Sequence, residues 1–337
     1  MSQKIDFAVG GQAVIEGVMI RSPNFVTVAV RKKDGSIKIK EDPFRSLTKK
    51  FRLLAIPIIR GIINLFEMMI FGMKALNFSA EEYTEDQDED ETTSARSDKT
   101  HSNQTKLHQA APHQTKPRWF TIATFTFSLI VSFALAIFLF KFIPLALTTW
   151  LQKIFPAIAK YTLLFNLIDG LIRISIFLLY IFVLSIFKSF RRIFEYHGAE
   201  HKSIFAYEKG HTLTPAEIRP ECPRHPRCGT SFIVIVLVIS ILLLSLVPKH
   251  PVFYIHFLRR LAIIPFIAGA AYEVLKWTAK HRHNWLVGLF TYPGILTQYI
   301  TTKEPDEKQI EVAVAALKKA LELEHDRQQQ KESDNVT

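Results

Sequence analysis

The sequence holds 337 residues with a formal net charge of +11, and 48% of its residues are hydrophobic. These apolar residues collect in long blocks, which excludes an ordinary soluble protein and predicts a polytopic helical protein of the lipid bilayer. The positive charge is typical of residues that flank membrane spans. No basic patch is interleaved with aromatic residues, so we expect no nucleic-acid partner.

Residues 1–50 are predicted to form a small β-rich cap. They contain no apolar stretch typical of a secretory signal, so we expect them to stay on the cytoplasmic side, where the chain is made. Apolar and polar residues alternate in Phe25–Val30 and in Ile37–Lys40. The sequence "KKDGS" between these runs is typical of a hairpin turn, because Asp-Gly tolerates positive φ.

The segment 51–80 is apolar, but it carries Arg60 and Glu67 on one helical face. This favours a re-entrant or interfacial helix over a lipid-exposed span. The next segment, 81–117, begins with eight closely spaced acidic residues and contains few apolar ones. Because such a composition cannot bury enough surface to fold alone, we predict a disordered linker.

Two stretches, 118–187 and 230–278, are predicted to hold about four membrane-spanning helices. Each predicted helix is a block with at most one ionisable residue: Trp119–Phe140, Leu171–Phe187, Thr230–Val247 and Leu261–Leu275. The first block has 22 residues without a charge, enough to cross a hydrocarbon core at about 1.5 Å per residue.

The loop between these stretches, 188–229, is predicted to face the cytoplasm. It holds eight Lys or Arg residues, and positive residues concentrate on the cytoplasmic side of membranes. The last segment, 279–337, is predicted to contain a membrane-surface stretch interrupted by Pro293 and Gly294. A cytoplasmic amphipathic helix follows in residues 306–330. We therefore expect a multi-pass protein of the cell membrane with both termini in the cytoplasm.

The sequence "EYHGAEHKS" in the cytoplasmic loop is the best candidate for chemistry. His197 and His201 are four residues apart, so on a helix both imidazoles can reach one ion. Glu200 lies near the same face, where it can act as a general base on an attacking water. The order H-x-x-E-H is the one that inverted zincins use. The competing interpretation is the polar face of a helix that binds no metal.

A metal at this position needs a third ligand, and three residues are candidates. Glu273 would supply the acidic ligand usual in such enzymes, and a carboxylate near the end of a span needs a partner. His225 and Cys228, in "CPRHPRCGTSF", are good ligands directly ahead of a span. Zinc is the metal that these ligand types favour. A structural zinc module with Cys222 is the lesser alternative, because five residues separate the two cysteines.

Two charged residues, Asp169 and Arg173, lie at the start of a predicted span. As i and i+4 neighbours they can pair and satisfy each other, which is the interpretation that we favour. The functional alternative is a polar path through the bundle for an ion, a lipid head group or a peptide.

Six longer motifs carry a resemblance to a known family: "GGQAVIEGVMIRSP", "RGIINLFEMMIFGMKALNFSA", "EYHGAEHKSIFAYEKG", "HPRCGTSF", "AAYEVLKW" and "TTKEPDEKQIEVAVAAL". They resemble the YqhQ-like family of bacterial membrane proteins, a domain of unknown function described as a predicted metal-dependent enzyme. The resemblance covers nearly all of the chain except the acidic linker and the extreme C-terminus. It implies that Glu16 and the metal candidates named above occupy family motif positions. Family members often lack a cysteine at the position of Cys222, which argues against Cys222 as a ligand.

These features favour a membrane-embedded, metal-dependent hydrolase whose site faces the cytoplasm. Its substrate would be a membrane peptide or a lipid-linked molecule. The alternative is a non-enzymatic scaffold or transporter-like protein, in which the His/Glu/Cys cluster only ties loops together. The sequence leaves the choice between enzyme and scaffold open.

Overall fold

The computed structural model of the protein describes residues 9–97, 118–226, 228–248, 250–280 and 285–336. These residues are mainly helical, with a small antiparallel sheet near the N-terminus, as the sequence predicts. The strands are β1 (Gly10–Val14), β2 (Gly17–Arg21), β3 (Phe25–Arg31) and β4 (Ile37–Pro43). The first helices are α1 (Leu47–Lys50), a 3₁₀ turn (Arg52–Ala55), α2 (Ile59–Ser97), α3 (Arg118–Ile137), a π-helical segment (Phe138–Phe142), α4 (Ile143–Ile154), α5 (Pro156–Lys160) and α6 (Thr162–Ile186). The remaining helices are α7 (Lys188–Lys209), α8 (Pro215–Ile218), α9 (Gly229–Ser245), α10 (Phe253–Ala262), α11 (Ile264–Lys280), α12 (Trp285–Thr301) and α13 (Glu307–Val336).

The sheet has the strand order β1-β2-β3-β4, so each strand pairs with its neighbour in sequence. The predicted hairpin is confirmed, with Arg31 opposite Ile37 at its closed end. Gly35 in the turn has φ 89°, a conformation that glycine adopts without a steric penalty. The N-terminal residues therefore form a continuous four-stranded meander.

The C-terminal helix α13 completes the core of this cap. It packs across the sheet and against α7, and buried apolar residues from all three parts form one cluster. Two polar contacts fix its position: Thr27 donates to the carbonyl of Ala316 at 2.9 Å, and Glu324 accepts from Ser22 at 2.7 Å. The helix predicted over 306–330 is therefore part of a folded unit that also holds α7.

Helix α2 differs from the prediction at its C-terminal end. It continues to Ser97, whereas the sequence predicted a boundary at residue 80 and a disordered linker beyond it. The physical reasons are the good helix propensity of Glu and the burial of Glu82, whose carboxylate pairs with Lys38 at 2.6 Å. The other part of the predicted linker, 98–117, lies outside the described residues.

Among the described residues, three helical stretches are long and apolar enough to cross a membrane: Thr126–Ile154, Thr162–Ile186 and Phe253–Thr278. Helix α9 is a fourth apolar helix, but it is shorter than these. It ends ahead of Pro248, which cannot continue a helix. The sequence predicted about four spans, and the described helices give three full-length candidates and one short one.

Helix α12 passes through Pro293 and Gly294, where the sequence predicted an interruption. Gly294 lies directly against α9, since a Cβ at this position would come within 2.6 Å of the Cα of Ser231. This glycine permits close helix packing rather than ending the helix. The packing positions α12, whose last residue, Thr301, contacts His197 through its carbonyl oxygen.

Candidate metal centre

Three side chains converge where α7 meets the start of α9. The rings of His197 and His201 lie on one face of α7 with their centroids 4.4 Å apart. Cys228 is the N-cap residue of α9 and is buried. One ligand atom from each of the three lies within 4.8 Å of the others, so this group can hold a metal ion. The histidine pair predicted from the sequence is thus joined by one of its three candidate partners, Cys228.

Backbone carbonyl groups fix the tautomers of both histidines. Nδ1 of His197 donates to the carbonyl of Thr301 at 2.9 Å, and Nδ1 of His201 donates to the carbonyl of Pro223 at 2.6 Å. A carbonyl oxygen can only accept, so each Nδ1 carries a proton. The two Nε2 atoms are therefore the atoms available to a metal. Such a hydrogen bond to the second ring nitrogen is typical of metal-binding histidines.

A glycine allows the 301–305 backbone to approach α7. A Cβ at Gly198 would lie 2.0 Å from the carbonyl oxygen of Lys303, a distance that no side chain tolerates. The amide of Lys303 also donates to the carbonyl of Phe194 at 2.9 Å. Gly198, the second residue of the H-G-A-E-H sequence, therefore positions the carbonyl that orients His197.

The environment of Cys228 favours a thiolate. Its Sγ lies 3.1 Å from Nε2 of His197 and accepts from both the amide and the hydroxyl of Thr230, at 3.4 and 3.2 Å. The sulfur also lies at a helix N-terminus, where the helix dipole stabilises negative charge.

Electrostatic attraction and a hydrogen bond between Cys228 and His197 shift the pKa of both groups. Burial raises the pKa of the Cys228 thiol, but the positive charge and hydrogen bond of His197 outweigh it and hold this pKa well below its usual range. Burial lowers the pKa of His197, but attraction to Cys228 outweighs it and raises this pKa to about 9. Both shifts favour the thiolate–imidazolium form of the pair.

Glu200 is a buried carboxyl beside the metal group. Its Oε2 lies 3.5 Å from Nε2 of His201. The backbone of β1 covers it, since a Cβ at Gly11 would lie 2.7 Å from Cγ and Oε1 of Glu200. Burial raises the pKa of Glu200, although the two histidines act in the opposite direction. A buried carboxyl with a raised pKa is a candidate general acid or base.

His225 lies next to the group but faces other partners. Its ring centroid is 5.8 Å from that of His201 and 4.4 Å from that of Phe205, and its Nε2 lies 3.5 Å from Glu208. Gln298 binds both the amide and the carbonyl of the His225 backbone at 2.8 Å. The structure thus brings His225 into the neighbourhood of the site without placing it in the three-residue group.

Glu273 and Glu16, the remaining candidates at motif positions, have charged partners of their own. The Glu273 carboxylate on α11 accepts two hydrogen bonds from the Arg60 guanidinium on α2. Glu16, in the β1–β2 turn, accepts from Arg192 and, at 3.2 Å, from the hydroxyl of Tyr196. These contacts tie α2 to α11 and the sheet to α7.

The described contacts place Asp169 and Arg173 together, at 2.6 Å, in the helix α6. The predicted pairing is present, and Arg260 from α10 joins it at 3.0 Å from the same carboxylate oxygen. None of these residues belongs to the three-residue metal group.

Sequence reasoning missed the residues that support the site. Thr301, Pro223 and Gln298 act through backbone or amide groups, and Gly11 acts by having no side chain. Only the glycine pair in "VGGQ" offered a signal, because glycine in a strand indicates close approach by another group. The carbonyl groups of Thr301 and Pro223 leave no sequence pattern at all.

Comparison with known proteins gives a family but no activity. A family of proteins of unknown function, DUF1385, matches residues 56–323. The chain is also similar to the "Uncharacterized protein YqhQ" of Bacillus subtilis (strain 168), at 34% identity over 334 residues, which cover 99% of this chain and 98% of that protein. No solved structure matches the chain. The motif resemblance is thereby confirmed, and the chain belongs to the DUF1385 family of YqhQ-like proteins of unknown function.

Proposed function

We propose that this protein is a metal-dependent hydrolase of the cell membrane whose site faces the cytoplasm. The observation that carries the proposal is the convergence of two oriented Nε2 atoms and one thiolate beside a buried carboxyl group. Three protein ligands with a neighbouring acid or base are the usual composition of a catalytic zinc site, whereas structural sites have four protein ligands.

The donor set fits zinc. Two imidazole nitrogens and one thiolate suit a borderline-soft divalent ion, and this combination occurs in catalytic zinc sites. Bond lengths of about 2.0 Å to nitrogen and about 2.3 Å to sulfur in a tetrahedron separate the two atoms by about 3.5 Å. Nε2 of His197 and Sγ of Cys228 are 3.1 Å apart, so a small side-chain shift admits the ion.

The residues then have separate roles. His197, His201 and Cys228 would hold the ion, which would supply Lewis-acid polarisation of a substrate carbonyl or phosphoryl oxygen. Glu200 accepts the proton of the attacking water and returns it to the leaving group. Burial raises the pKa of Glu200, which favours its return of the proton as a general acid. Gly11 and the β1 backbone shield this carboxyl from bulk water.

The surroundings support a membrane location and a membrane-associated substrate. Helix α7 begins directly after the candidate span Thr162–Ile186, and Cys228 caps the apolar helix α9. Phe127 and Phe133 on the first candidate span each expose 67% of their surface, which favours contact with lipid. The many Lys and Arg residues of 188–229 favour the cytoplasmic side. A membrane peptide or a lipid-linked molecule is the substrate class that we propose for this position.

Cobalt substitution tests whether the site is catalytic. Co²⁺ replaces zinc, and its visible spectrum reports coordination by thiolate and imidazole. Acetohydroxamate binds a metal only where a coordination position is open, so we expect it to change the spectrum of the cobalt protein. In Glu200→Gln the cobalt spectrum should persist, while acetohydroxamate should bind about tenfold more weakly, because one hydrogen bond to the carboxylate is lost.

The alternative is a non-enzymatic scaffold with a closed, structural metal site. It is favoured by one observation, the position of Glu200 at 3.5 Å from Nε2 of His201, from which the carboxylate can become a fourth ligand. A cobalt spectrum that does not respond to acetohydroxamate, and that changes in Glu200→Gln, would support this alternative and contradict the hydrolase.

A further inference from the structure

A second polar cluster lies among the candidate membrane spans. Asp169 and Arg173 come from Thr162–Ile186, Arg260 comes from Phe253–Thr278, and Lys141 comes from Thr126–Ile154. Asp169 Oδ2 accepts from Arg173 at 2.6 Å and from Arg260 at 3.0 Å. All three candidate spans thus contribute a charged residue to one place.

The charges of this cluster do not balance. Three cationic side chains, Lys141, Arg173 and Arg260, lie near one carboxylate, Asp169. Arg173 and Arg260 are almost fully buried, exposing 2% and 4% of their surface. A buried charge without a counter-charge is costly, especially between apolar helices. Arg173 and Arg260 share the single carboxylate of Asp169, so the cluster has an excess of positive charge even before Lys141 is counted, and this excess favours an anionic ligand.

The two arginines also have hydrogen-bonding capacity to spare. Arg173 donates from Nη1 to Ser240 at 2.9 Å, and Arg260 donates from Nη2 to Asn166 at 2.6 Å. Nε of Arg173 and Nη1 of Arg260 are buried and have no hydrogen-bond partner among the described residues. Oδ1 of Asp169 is also without one among them. Buried guanidinium groups normally use their donors, and an oxyanion is the ligand that matches two of them.

A cavity lies beside these donors. It is lined by the three cations and by four apolar side chains, Leu145, Leu244, Phe257 and Leu261. The cavity has a volume of about 10 Å³, the room of about one water molecule, so one oxygen atom of a phosphate group fits there and the lining side chains must move apart to admit the rest. The mixed lining suits a ligand that joins an oxyanion to apolar groups.

The backbone around Lys141 is unusual. Lys141 lies in the π-helical segment Phe138–Phe142, which interrupts the first candidate span between α3 and α4. Single π-helical turns inside helices are frequent at functional sites, because the extra residue changes the direction of the side chains. Here the irregular turn carries the one lysine that lines the cavity.

We propose that Lys141, Arg173 and Arg260 form a binding site for a phosphate group, carried either by a lipid head group or by free phosphate. Arginine binds phosphate through paired N–H donors, and lysine adds a point charge. Asp169 positions the two guanidinium groups and neutralises one of their charges. None of these residues belongs to the metal group, so the inference is independent of the proposed hydrolase.

The test uses the full-length protein in detergent. Equilibrium dialysis measures binding of radiolabelled orthophosphate, and native mass spectrometry compares retention of phosphatidic acid with that of diacylglycerol, which has the same tails without the phosphate. Saturable orthophosphate binding at one per chain supports a site for free phosphate. Preferential retention of phosphatidic acid supports a site for a lipid head group. Absence of both results would overturn the proposal.

Lys141→Gln is the informative variant, because Lys141 is only partly buried and lies outside the hydrogen-bond network of Asp169. It should weaken the observed binding about tenfold, as expected for loss of one charge-assisted contact. Lys153→Gln, the same change at an exposed position in α4, should change it less than about twofold. Arg260→Gln serves as a second variant if near-ultraviolet circular dichroism shows that it folds. Equal phosphate or lipid binding by wild type, Lys141→Gln and Lys153→Gln would overturn the proposal. Metal content should be unchanged in all of these variants, which would show that the phosphate site and the metal site are independent.

Discussion

Nε2 of His197 lies 3.1 Å from Sγ of Cys228, although the two residues are 31 positions apart and belong to different helices. This contact joins α7, the helix that carries the histidine pair, to the N-cap residue of the apolar helix α9. A site built across such a junction is fixed by both parts of the molecule.

The first prediction concerns the ionisation of Cys228 in metal-free protein. In a Cys222→Ser background, Cys228 is the one cysteine of the chain, and thiolate absorbance in the ultraviolet reports it. An ordinary thiol titrates at about pH 8.5. We expect the thiolate of Cys228 to form well below that pH, because His197 stabilises the anion. The ion pair exists between the lowered pKa of Cys228 and the raised pKa of His197, about 9. It is lost as pH falls through the first value or rises through the second.

Replacing His197 by Gln provides the control for this titration. Without the imidazolium of His197, burial is opposed only by His201, Thr230 and the helix N-terminus, so the pKa of the Cys228 thiol should rise. The same midpoint with and without His197 would show that the two groups do not interact in solution.

The second prediction concerns Gly198. In Gly198→Ala the new Cβ would overlap the carbonyl of Lys303, so the 301–305 backbone must move away from α7. The hydrogen bond from Nδ1 of His197 to Thr301 should weaken, and loss of such a supporting contact costs about 10–100-fold in metal affinity. Competition with a chromophoric chelator measures this affinity. Gly288→Ala, where nothing lies within 4 Å of the new Cβ, is the matched control and should bind metal normally.

The third prediction compares two adjacent glycines in β1. A Cβ at Gly11 would lie 2.7 Å from the Glu200 side chain, whereas one at Gly10 has nothing within 4 Å. Gly11→Ala should therefore lower the free energy of unfolding by about 1–3 kcal/mol through overpacking, and Gly10→Ala should change it little. Denaturant titration followed by tryptophan fluorescence measures both. Equal stability of the two variants would mean that β1 does not cover Glu200 as described.

The fourth prediction separates Glu273 from the metal group. Its carboxylate pairs with Arg60, so Glu273→Gln should keep full metal content while loosening the contact between α2 and α11. Limited proteolysis of the 51–80 region detects the loosening, and mass spectrometry measures the metal. Loss of metal in Glu273→Gln would instead make Glu273 the third ligand, as the inverted-zincin pattern suggests.

The sequence predicts much of this fold for simple physical reasons. Long uncharged blocks mark the apolar helices, and alternation with an Asp-Gly turn marks the β3–β4 hairpin. Helix boundaries are less predictable, since they depend on tertiary contacts. Glu82 is one example, because an acidic residue in a polar run becomes buried once Lys38 pairs with it. Gly294 is another, because close helix packing and a break in a helix leave the same sequence signal.

The candidate site is predictable only in part. The i, i+4 spacing of His197 and His201 places both rings together on any helix. The choice among His225, Cys228 and Glu273 required distances between elements that are far apart in sequence. The orientation of each imidazole depends on a backbone carbonyl group. Every residue has such a group, so no residue type in the sequence predicts which carbonyl will contact the ring.

Metal content tests the central claim most directly. The protein is purified without added chelator, and inductively coupled plasma mass spectrometry measures metal per chain in wild type, His197→Ala, Cys228→Ala and Cys222→Ser. We expect about one divalent ion, zinc, in wild type and in Cys222→Ser, since Cys222 lies outside the group. We expect loss of that ion in His197→Ala and in Cys228→Ala. Metal that is substoichiometric in wild type and unchanged in these two variants would contradict the proposed metal centre.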